Sequence, residues 1–282
     1  MLRIITDSAA DLSPAEYEKL NITCIPLTVM FGETEYQENV NLTKDQFYDL
    51  LLSSEAPPKT AQPSPQYLMD LFEEAHAAGD GAIYIPLSSG ISGTYQTALM
   101  TKNMLDYDDC HVADSLNATG GQRLLVRHAA KLRDEGTSAE EIIAGIGDVR
   151  SRIVLFACID TLEYLYKGGR ISQTVYKLGT LANIKPIITV EKDGTIGVPA
   201  KAMGMRKGMD TLCKQVSAKP ADPDFPFYVM YTNQRSVAEE LAKKLASAGI
   251  AVDDSHIIQV GAGIGSHVGP SACGLVYVAK KD

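Results

Sequence analysis

The sequence contains no tryptophan, no Cys-x-x-Cys pair and no apolar run of the ~18 residues that a membrane-spanning helix needs. Its five cysteines are odd in number and widely scattered, so they do not form the framework of a small disulfide-rich protein. Residues 1–7 are typical of a strand followed by polar residues and not of a secretion signal. We therefore expect a cytoplasmic protein with reduced cysteines and no stable membrane insertion.

Basic residues are in the minority, since 26 Lys and Arg face 35 Asp and Glu and the net charge is −9. A field of this sign repels polyphosphate backbones, so we expect no nucleic-acid partner. The P-loop and the H-E-x-x-H motif are absent, the five histidines lack metal-ligand spacing, and no two carboxylates are spaced as an acid–base pair. The sequence thus predicts neither a metal nor a cofactor.

What the sequence does contain is an alternation of short apolar runs and amphipathic stretches, with 45% of its residues hydrophobic. In the first half, strands alternate with helices, which predicts βαβ units and a parallel sheet. One of these strands is expected over 23–31. In the second half, Asp193-Gly194 predicts a β-hairpin and therefore a mixed sheet, and a helix is expected over 174–181. We predict two α/β domains, comprising residues 1–150 and 151–282.

The segment Ser88-Ser89-Gly90-Ile91-Ser92-Gly93-Thr94 lies between a predicted strand and a predicted helix. Glycines let a backbone approach a ligand closely, and the first N–H groups of a helix bind anions. Ser92 is the hydroxyl best placed to join these donors, so this segment can hold a carboxylate without Lys or Arg. The alternative is an ordinary capped turn, but the density of small polar residues favours a binding site.

Two other loops that follow the early strands carry unexplained polar groups. Thr60 and Gln62 are not needed for the local helix cap, so they either contact a ligand or lie in a solvated surface loop. Asp7 and Ser8 either face a crevice or bond to their own backbone as turn and cap residues. The residues alone leave both pairs of alternatives open.

The glycine-rich segment 261–270 fails as a dinucleotide-binding fingerprint. Ser266 or Val268 occupies the third glycine position of G-x-G-x-x-G, depending on which glycine begins the motif, and a strand rather than a helix is expected next. We therefore predict a flexible loop. It carries His267, whose place among glycines rather than on an apolar face favours a hydrogen bond to a ligand.

The segment Leu162–Ser172 contains Lys167 and Gly168, which can end and cap a helix. That role does not explain Arg170. Its guanidinium either reaches a phosphate or an acidic partner, or lies solvated on the surface, and the residues alone favour the second alternative.

A serine hydrolase is the enzymatic alternative. The run Gly90-Ile91-Ser92-Gly93-Thr94 matches the first glycine and the serine of G-x-S-x-G but has Thr in the last place. Ser92, an Asp such as Asp160, and His267 also occur in the chain order of that class of enzyme. We therefore keep a serine-dependent acyl hydrolase using Ser92 and His267 as an alternative function, and a binding module for another small anion as a third.

Taken together, these segments resemble the DegV family. Five motifs fall in the family's order and span the whole chain, namely Thr6-Asp7-Ser8 with Asp11-Leu12, Lys59–Ser64, Ser88-Ser89 with Ser92–Tyr95, Leu162–Ser172 and His267–Pro270. Each motif alone is weak, but five in order are specific. The resemblance implies a two-domain α/β protein that binds a fatty acid between its domains, with a parallel-sheet α/β/α domain first and a mixed-sheet α/β domain second.

The same resemblance implies roles for individual residues. It places Thr60, Ser92 and His267 at the fatty-acid carboxylate, and Arg170 on the side that meets a partner. Members of this family present the bound fatty acid to a fatty acid kinase, which forms the acyl phosphate. The resemblance therefore implies a carrier subunit without catalytic residues of its own, whose ligand is a long-chain fatty acid such as palmitate.

Overall fold

The computed structural model describes residues 1–105, 107–177 and 183–281. Its strands are β1 (Leu2–Asp7), β2 (Ile22–Ile25), β3 (Thr28–Phe31), β4 (Thr34–Gln37), β5 (Lys59–Ala61), β6 (Gly81–Ile85), β7 (Cys110–Val112), β8 (Ile153–Ile159), β9 (Ile184–Val190), β10 (Ile196–Met203), β11 (Tyr228–Tyr231), β12 (Ile257–Gln259) and β13 (Ala272–Val278). Its α-helices are α1 (Pro14–Lys19), α2 (Lys44–Ser53), α3 (Pro65–Ala77), α4 (Thr94–Asn103), α5 (Thr119–Asp134), α6 (Ala139–Arg152), α7 (Glu163–Lys167), α8 (Gln173–Lys177), α9 (Gly204–Ala218), α10 (Arg235–Ser247) and α11 (Ala262–Val268).

The sheet of the N-terminal half has the strand order β2-β1-β6-β7, and its neighbouring strands all pair in parallel. Successive side chains of β1 point to opposite faces. Ile4 packs in one buried cluster with Leu125 of α5 and Ile142 of α6, whereas Ile5 packs in another with Leu68 of α3. Helices therefore cover both faces, and the predicted parallel-sheet α/β/α arrangement is confirmed.

The sheet of the C-terminal half has six strands in the order β10-β9-β8-β13-β11-β12. β11 and β12 pair in parallel and the other neighbours pair antiparallel, so the predicted mixed sheet is confirmed. One face packs against α9 and α10 through residues such as Leu212 and Leu241. The other face contributes Met230 and Val276 to the cluster that contains α5 of the first half. The two halves thus pack against each other through this second face.

The structure also contains a small antiparallel sheet, β4-β3-β5, that the sequence pattern does not predict. The expected single strand over 23–31 is wrong. Pro26 lacks a backbone N–H and divides it, so that β2 joins the parallel sheet and β3 joins the small sheet. Thr60, expected in a loop, lies on β5 and pairs with Val29.

The glycine-rich segment is not the predicted flexible loop, because Ala262–Val268 forms α11. The helix ends at Gly269, whose φ of 84° lies in the left-handed region that glycine tolerates best. Its first N–H groups are bound by the side chains of Asp11 and Glu38, far away in the sequence. A local pattern does not contain these contacts, and they place His267 on a helix.

Two other expectations concern the second half of the chain. The helix predicted over 174–181 is observed over Gln173–Lys177, and the rest of that prediction lies outside the described residues. The first strand of the mixed sheet begins at Ile153, and a domain boundary at residue 150 stays a prediction.

Within the described residues, no helix combines the length and the apolar character needed to cross a membrane.

Candidate functional site

A cavity of about 360 Å³ lies between the two halves of the chain. Its walls are largely apolar and come from both halves, for example Leu27, Leu87, Ile91, Leu155, Ile188 and Met230. The polar residues that line it include Thr60, Ser92, Arg170 and His267. The structure therefore brings the three residues expected at the carboxylate, together with Arg170, to a single cavity of the kind that holds a mostly apolar ligand.

Thr60 and His267 meet across the two halves. β5 places the Thr60 hydroxyl and α11 places the imidazole, so that Oγ1 and Nε2 lie 2.9 Å apart in a hydrogen bond. The hydroxyl can donate to this nitrogen or accept from it, according to the tautomer of the ring. Because both groups line the cavity, a ligand that reaches this point meets a hydroxyl and an imidazole already held in place.

The surroundings of His267 keep its ring neutral. Burial, with a smaller contribution from the charge of Arg170, lowers the pKa of His267 to about 4. Its Nδ1 is buried and has no hydrogen-bond partner among the described residues. Gly168 packs directly on that side, where a Cβ atom would collide with Nδ1. The ring is therefore a neutral group with one donor and one acceptor nitrogen at neutral pH.

The Ser/Gly loop, residues 88–94, leads from β6 into α4 and is held by buried contacts. Asp7, at the end of β1, accepts a 2.8 Å hydrogen bond from the N–H of Leu87, and burial raises the pKa of its carboxyl to about 6. Ser88 donates a 2.8 Å bond to the carbonyl oxygen of Gly194 in the turn between β9 and β10. The Ser/Gly loop is therefore attached to both sheets.

Ser92 lies at the amino end of α4. Its Oγ is 2.8 Å from Oγ1 of Thr94 and accepts a 3.3 Å bond from the N–H of the same residue. Gly93, which precedes the helix, supplies no side-chain cap. The hydroxyl of Ser92 is therefore grouped with the first N–H groups of a helix, and both Ser92 and Gly93 line the cavity.

Gln62 connects the strand of Thr60 with the helix that follows Ser92. Its Nε2 donates a 2.8 Å hydrogen bond to Oγ1 of Thr97, and its Oε1 packs where Gly93 leaves room for it. The sequence pairs Gln62 with Thr60 as a possible ligand contact, but the residues that the family resemblance places at the carboxylate do not include Gln62. Its spacing of two from Thr60, which places both side chains on one face of an extended chain, is the sequence signal that could have included it.

Arg170 is not the solvated surface residue that its sequence context favours. It is half-buried, and it donates a 2.9 Å bond from Nε to the carbonyl oxygen of Ile91 and a 2.5 Å bond from Nη1 to that of Gly168. It lines the cavity and also a shallow surface depression that shares Ser92 and Gly93 with it. The guanidinium therefore lies between the cavity and the outer surface.

Asp7 and Ser8 act within the fold and do not line the cavity. Asp7 accepts a 3.2 Å bond from the N–H of Ala9 and caps the short 3-10 helix there, and Ser8 donates a 2.7 Å bond to Glu38. Of the two alternatives for this segment, the cap is the one that the structure shows.

The residues required by the hydrolase alternative are engaged elsewhere. Asp160 forms an ion pair with Lys185, Ser92 bonds to Thr94 and His267 bonds to Thr60. A triad needs the serine bonded to the histidine and the histidine bonded to the acid. The described part of the chain does not join these three residues in that way, and its His, Cys, Asp and Glu residues form no cluster of three or more that could hold a metal.

The chain matches a protein family over almost its full length. The matching family model is described as "Uncharacterised protein, DegV family" and covers residues 1–280. A DegV domain-containing protein of Caldanaerobacter subterraneus is 33% identical over 280 residues, which make up 99% of each chain. The similarity thus extends over both halves.

Two solved structures have a similar fold. The crystal structure of a fatty acid binding DegV family protein from Streptococcus agalactiae is 29% identical and has a TM-score of 0.88, covering 100% of this chain and 99% of the other. The crystal structure of a stearic acid-binding protein from Eubacterium ventriosum is 26% identical and has a TM-score of 0.88, covering 99% of both chains. The two-part architecture is therefore shared with these proteins.

We expect the imidazole of His267 to titrate at about pH 4 in the ligand-free protein, because burial and then Arg170 lower its pKa from the usual 6.5. Between these two values the folded protein binds fewer protons at His267 than the unfolded chain. The contribution of this group to the free energy of unfolding therefore falls as the pH drops from 6.5 to 4. An acid titration followed by the ¹⁵N resonances of the histidines measures the pKa directly.

The variant His267→Gln keeps a hydrogen-bonding side chain that does not titrate. Over the same pH interval the wild-type protein should lose about 3 kcal/mol more stability than this variant in urea unfolding. An imidazole that titrates at or above pH 6.5, or parallel stability profiles for the two proteins, would contradict this description of the site.

Proposed function

We propose that this chain, which belongs to the DegV family, binds a long-chain fatty acid in the cavity between its two halves. In this proposal the carboxylate is held by Thr60, Ser92 and His267. The observation that carries it is the grouping of these three polar residues, drawn from β5, the Ser/Gly loop and α11, on one largely apolar cavity. The solved structures described as binding a fatty acid or stearic acid support the same class of ligand.

The apolar walls account for the affinity of the tail. Burying a dozen methylene groups at ~0.8 kcal/mol each contributes roughly 10 kcal/mol before the cost of ordering the chain. A saturated chain of the length of palmitate supplies that many methylenes. The head group then has only to replace the hydrogen bonds that its carboxylate loses on leaving water.

The residues around the polar groups can meet that requirement. The hydroxyls of Thr60 and Ser92 and the neutral imidazole of His267 provide donors, and the positive charge of Arg170 lies next to them. The first N–H groups of α4 add the partial positive charge of a helix terminus. A carboxylate enclosed there can be hydrogen-bonded by these neutral groups, with the charge of Arg170 nearby.

We further propose that the protein is a carrier subunit and that a fatty acid kinase performs the chemistry. Arg170 and Ser92 line both the cavity and the shallow surface depression, so the proposed carboxylate site adjoins the outer surface. A partner that docks on this depression would meet the carboxylate end of the ligand. This arrangement agrees with acyl phosphate formation by a separate ATP-dependent enzyme, and we propose that both proteins act in the cytoplasm.

The variants Ser92→Ala and His267→Ala should each weaken palmitate binding at least tenfold, because a hydrogen bond to a charged group contributes roughly 1.5–3 kcal/mol and 1.4 kcal/mol is a factor of ten. Displacement of a fluorescent polyene fatty acid by palmitate measures the change. Ser89→Ala is the matched control, since Ser89 belongs to the same loop but does not line the cavity. Unchanged affinity in both variants would refute the assignment of the carboxylate site.

Native mass spectrometry of the purified protein is expected to show the added mass of one long-chain fatty acid, because a ligand bound mainly by buried methylenes survives purification. The ligand should be released when the protein is unfolded. An empty protein that hydrolyses acyl esters, with activity lost in Ser92→Ala, would instead favour the serine hydrolase.

Acyl phosphate should form only when the palmitate-loaded protein, ATP and a fatty acid kinase are all present, and it can be trapped with hydroxylamine. We expect Arg170→Gln to lower the yield per bound palmitate, since Arg170 lies at the surface depression. Arg206→Gln, which alters an exposed arginine on α9, is the control. Acyl phosphate formed without the kinase would overturn the assignment as a carrier.

A further inference from the structure

The helix that carries His267 is bound at its amino end by the other half of the chain. The residue before α11, Gly261, has no side chain with which to cap the helix, so the first N–H groups need acceptors from elsewhere. They find them in two buried carboxylates, Asp11 and Glu38, which are 3% and 1% exposed. These acidic residues lie outside the proposed carboxylate site, and the function proposed above does not account for them.

Glu38 binds two successive residues of α11. One carboxylate oxygen accepts a hydrogen bond from the N–H of Ala262, and the other accepts a 3.2 Å bond from the N–H of Gly263 and a 2.7 Å bond from the hydroxyl of Ser8. The hydroxyl of Ser8 in turn accepts a 3.0 Å bond from the N–H of Leu27. The carboxylate is thus held between the helix and the backbone of the first half.

Asp11 completes this anchor. Its Oδ1 accepts a 2.7 Å bond from the N–H of Gly261 and a 3.1 Å bond from the ammonium group of Lys44. Its Oδ2 accepts a 2.5 Å bond from the hydroxyl of Thr119, a residue that lines the cavity. The same carboxylate therefore contacts both the start of α11 and the wall of the cavity. A carboxylate at the amino end of a helix is also favoured by the helix dipole.

The glycines of this segment are explained by the same contacts. A Cβ atom at Gly261 would collide with Oε1 of Glu38 and would lie 2.7 Å from Oδ1 of Asp11. A Cβ atom at Gly263 would lie 2.9 Å from the side chain of Leu27 and 3.3 Å from Oε2 of Glu38. The glycine spacing that resembles a dinucleotide-binding loop therefore makes room for two carboxylates of the protein itself.

We propose that Asp11 and Glu38 are positioning residues for the ligand head group, because they anchor the amino end of α11 and thereby place His267 against Thr60. His267 follows Ala262 by five positions, which is ~7.5 Å along a helix, so a displacement of the anchored end moves the imidazole with it. This inference rests on the proposed function, in which His267 contacts the fatty-acid carboxylate.

The test is a double-mutant cycle with Glu38→Gln and His267→Ala. Glutamine keeps the size of the side chain, but its amide nitrogen cannot accept the N–H that one carboxylate oxygen binds. Palmitate affinity should fall about tenfold in Glu38→Gln, and adding His267→Ala to it should cause less than a threefold further loss. Burial and the neighbouring Asp11 raise the pKa of Glu38 to about 7. Measurements are therefore made at pH 8, where the wild-type carboxyl group is mostly ionised.

If Glu38 has only a structural role, the fold-losses of palmitate affinity in Glu38→Gln and in His267→Ala should multiply in the double variant. The control is Leu68→Ala, which opens a cavity in the core between α3 and the parallel sheet, away from the fatty-acid cavity. It should lower the melting temperature, and any loss of affinity that it causes should multiply with that of His267→Ala. If Glu38→Gln fails to fold, Gly261→Ala replaces it, since its backbone φ of −83° suits alanine and its Cβ displaces the Glu38 carboxylate.

A second readout separates this inference from the proposed function. In the ligand-free protein, Glu38→Gln or Gly261→Ala should shift the ¹⁵N resonances of the His267 ring, whereas Leu68→Ala should leave them in place. A wild-type protein that binds no palmitate would refute the proposed function without affecting this comparison. The positioning role would be overturned by unchanged His267 resonances in Glu38→Gln and Gly261→Ala. It would also be overturned if the losses of palmitate affinity in these variants multiply with that of His267→Ala.

Discussion

The hydrogen bond between Thr60 and His267 joins the two halves of the chain at the cavity. The candidate ligand site depends on this contact, because it places a hydroxyl of one half next to an imidazole of the other. Ser88 and Arg170 make further contacts of the same kind, the first to the turn at Gly194 and the second to the Ser/Gly loop. The walls of the cavity come from two sheets, so its shape depends on contacts that fix the position of one sheet relative to the other. Two of the three groups that would bind a carboxylate, Thr60 and His267, therefore also join the halves.

For the proposed fatty acid, this arrangement assigns the tail and the head group to different parts of the cavity. The apolar walls would supply most of the free energy of binding, and the polar groups would only have to satisfy a carboxylate that leaves water. Neutral donors suit that task, and the burial that lowers the pKa of His267 keeps its ring in the neutral form. A preformed set of donors also explains why Ser92 and His267 lie in one cavity without the serine–histidine bond that nucleophilic catalysis requires.

The sequence predicted the features that depend on local patterns and on family motifs. Alternating strands and helices gave the parallel sheet, Asp193-Gly194 gave the mixed sheet, and the ordered motifs gave the family and led to three residues that line one cavity. It failed where distant contacts decide the structure. Pro26 divides an apolar run between two sheets, and Arg170 is drawn inward by carbonyl oxygens of Ile91 and Gly168. The two sheets that β2 and β3 join, and the carbonyl oxygen of Ile91, lie outside any short window of the sequence.

Gly261, which precedes α11, and Gly263 and Gly265 within it show how far such contacts reach. As a local pattern they predict a flexible loop, since glycine disfavours a helix by about 1 kcal/mol relative to alanine. In the folded chain each of them lies against a side chain of the first half: Gly261 against Glu38, Gly263 against Leu27, and Gly265 at 2.7 Å, for a Cβ atom, from Phe47. The segment is therefore helical because the other half binds its amino end and packs on its small-residue face. The position of His267 is accordingly a property of both halves of the chain, although the residue itself belongs to only one of them.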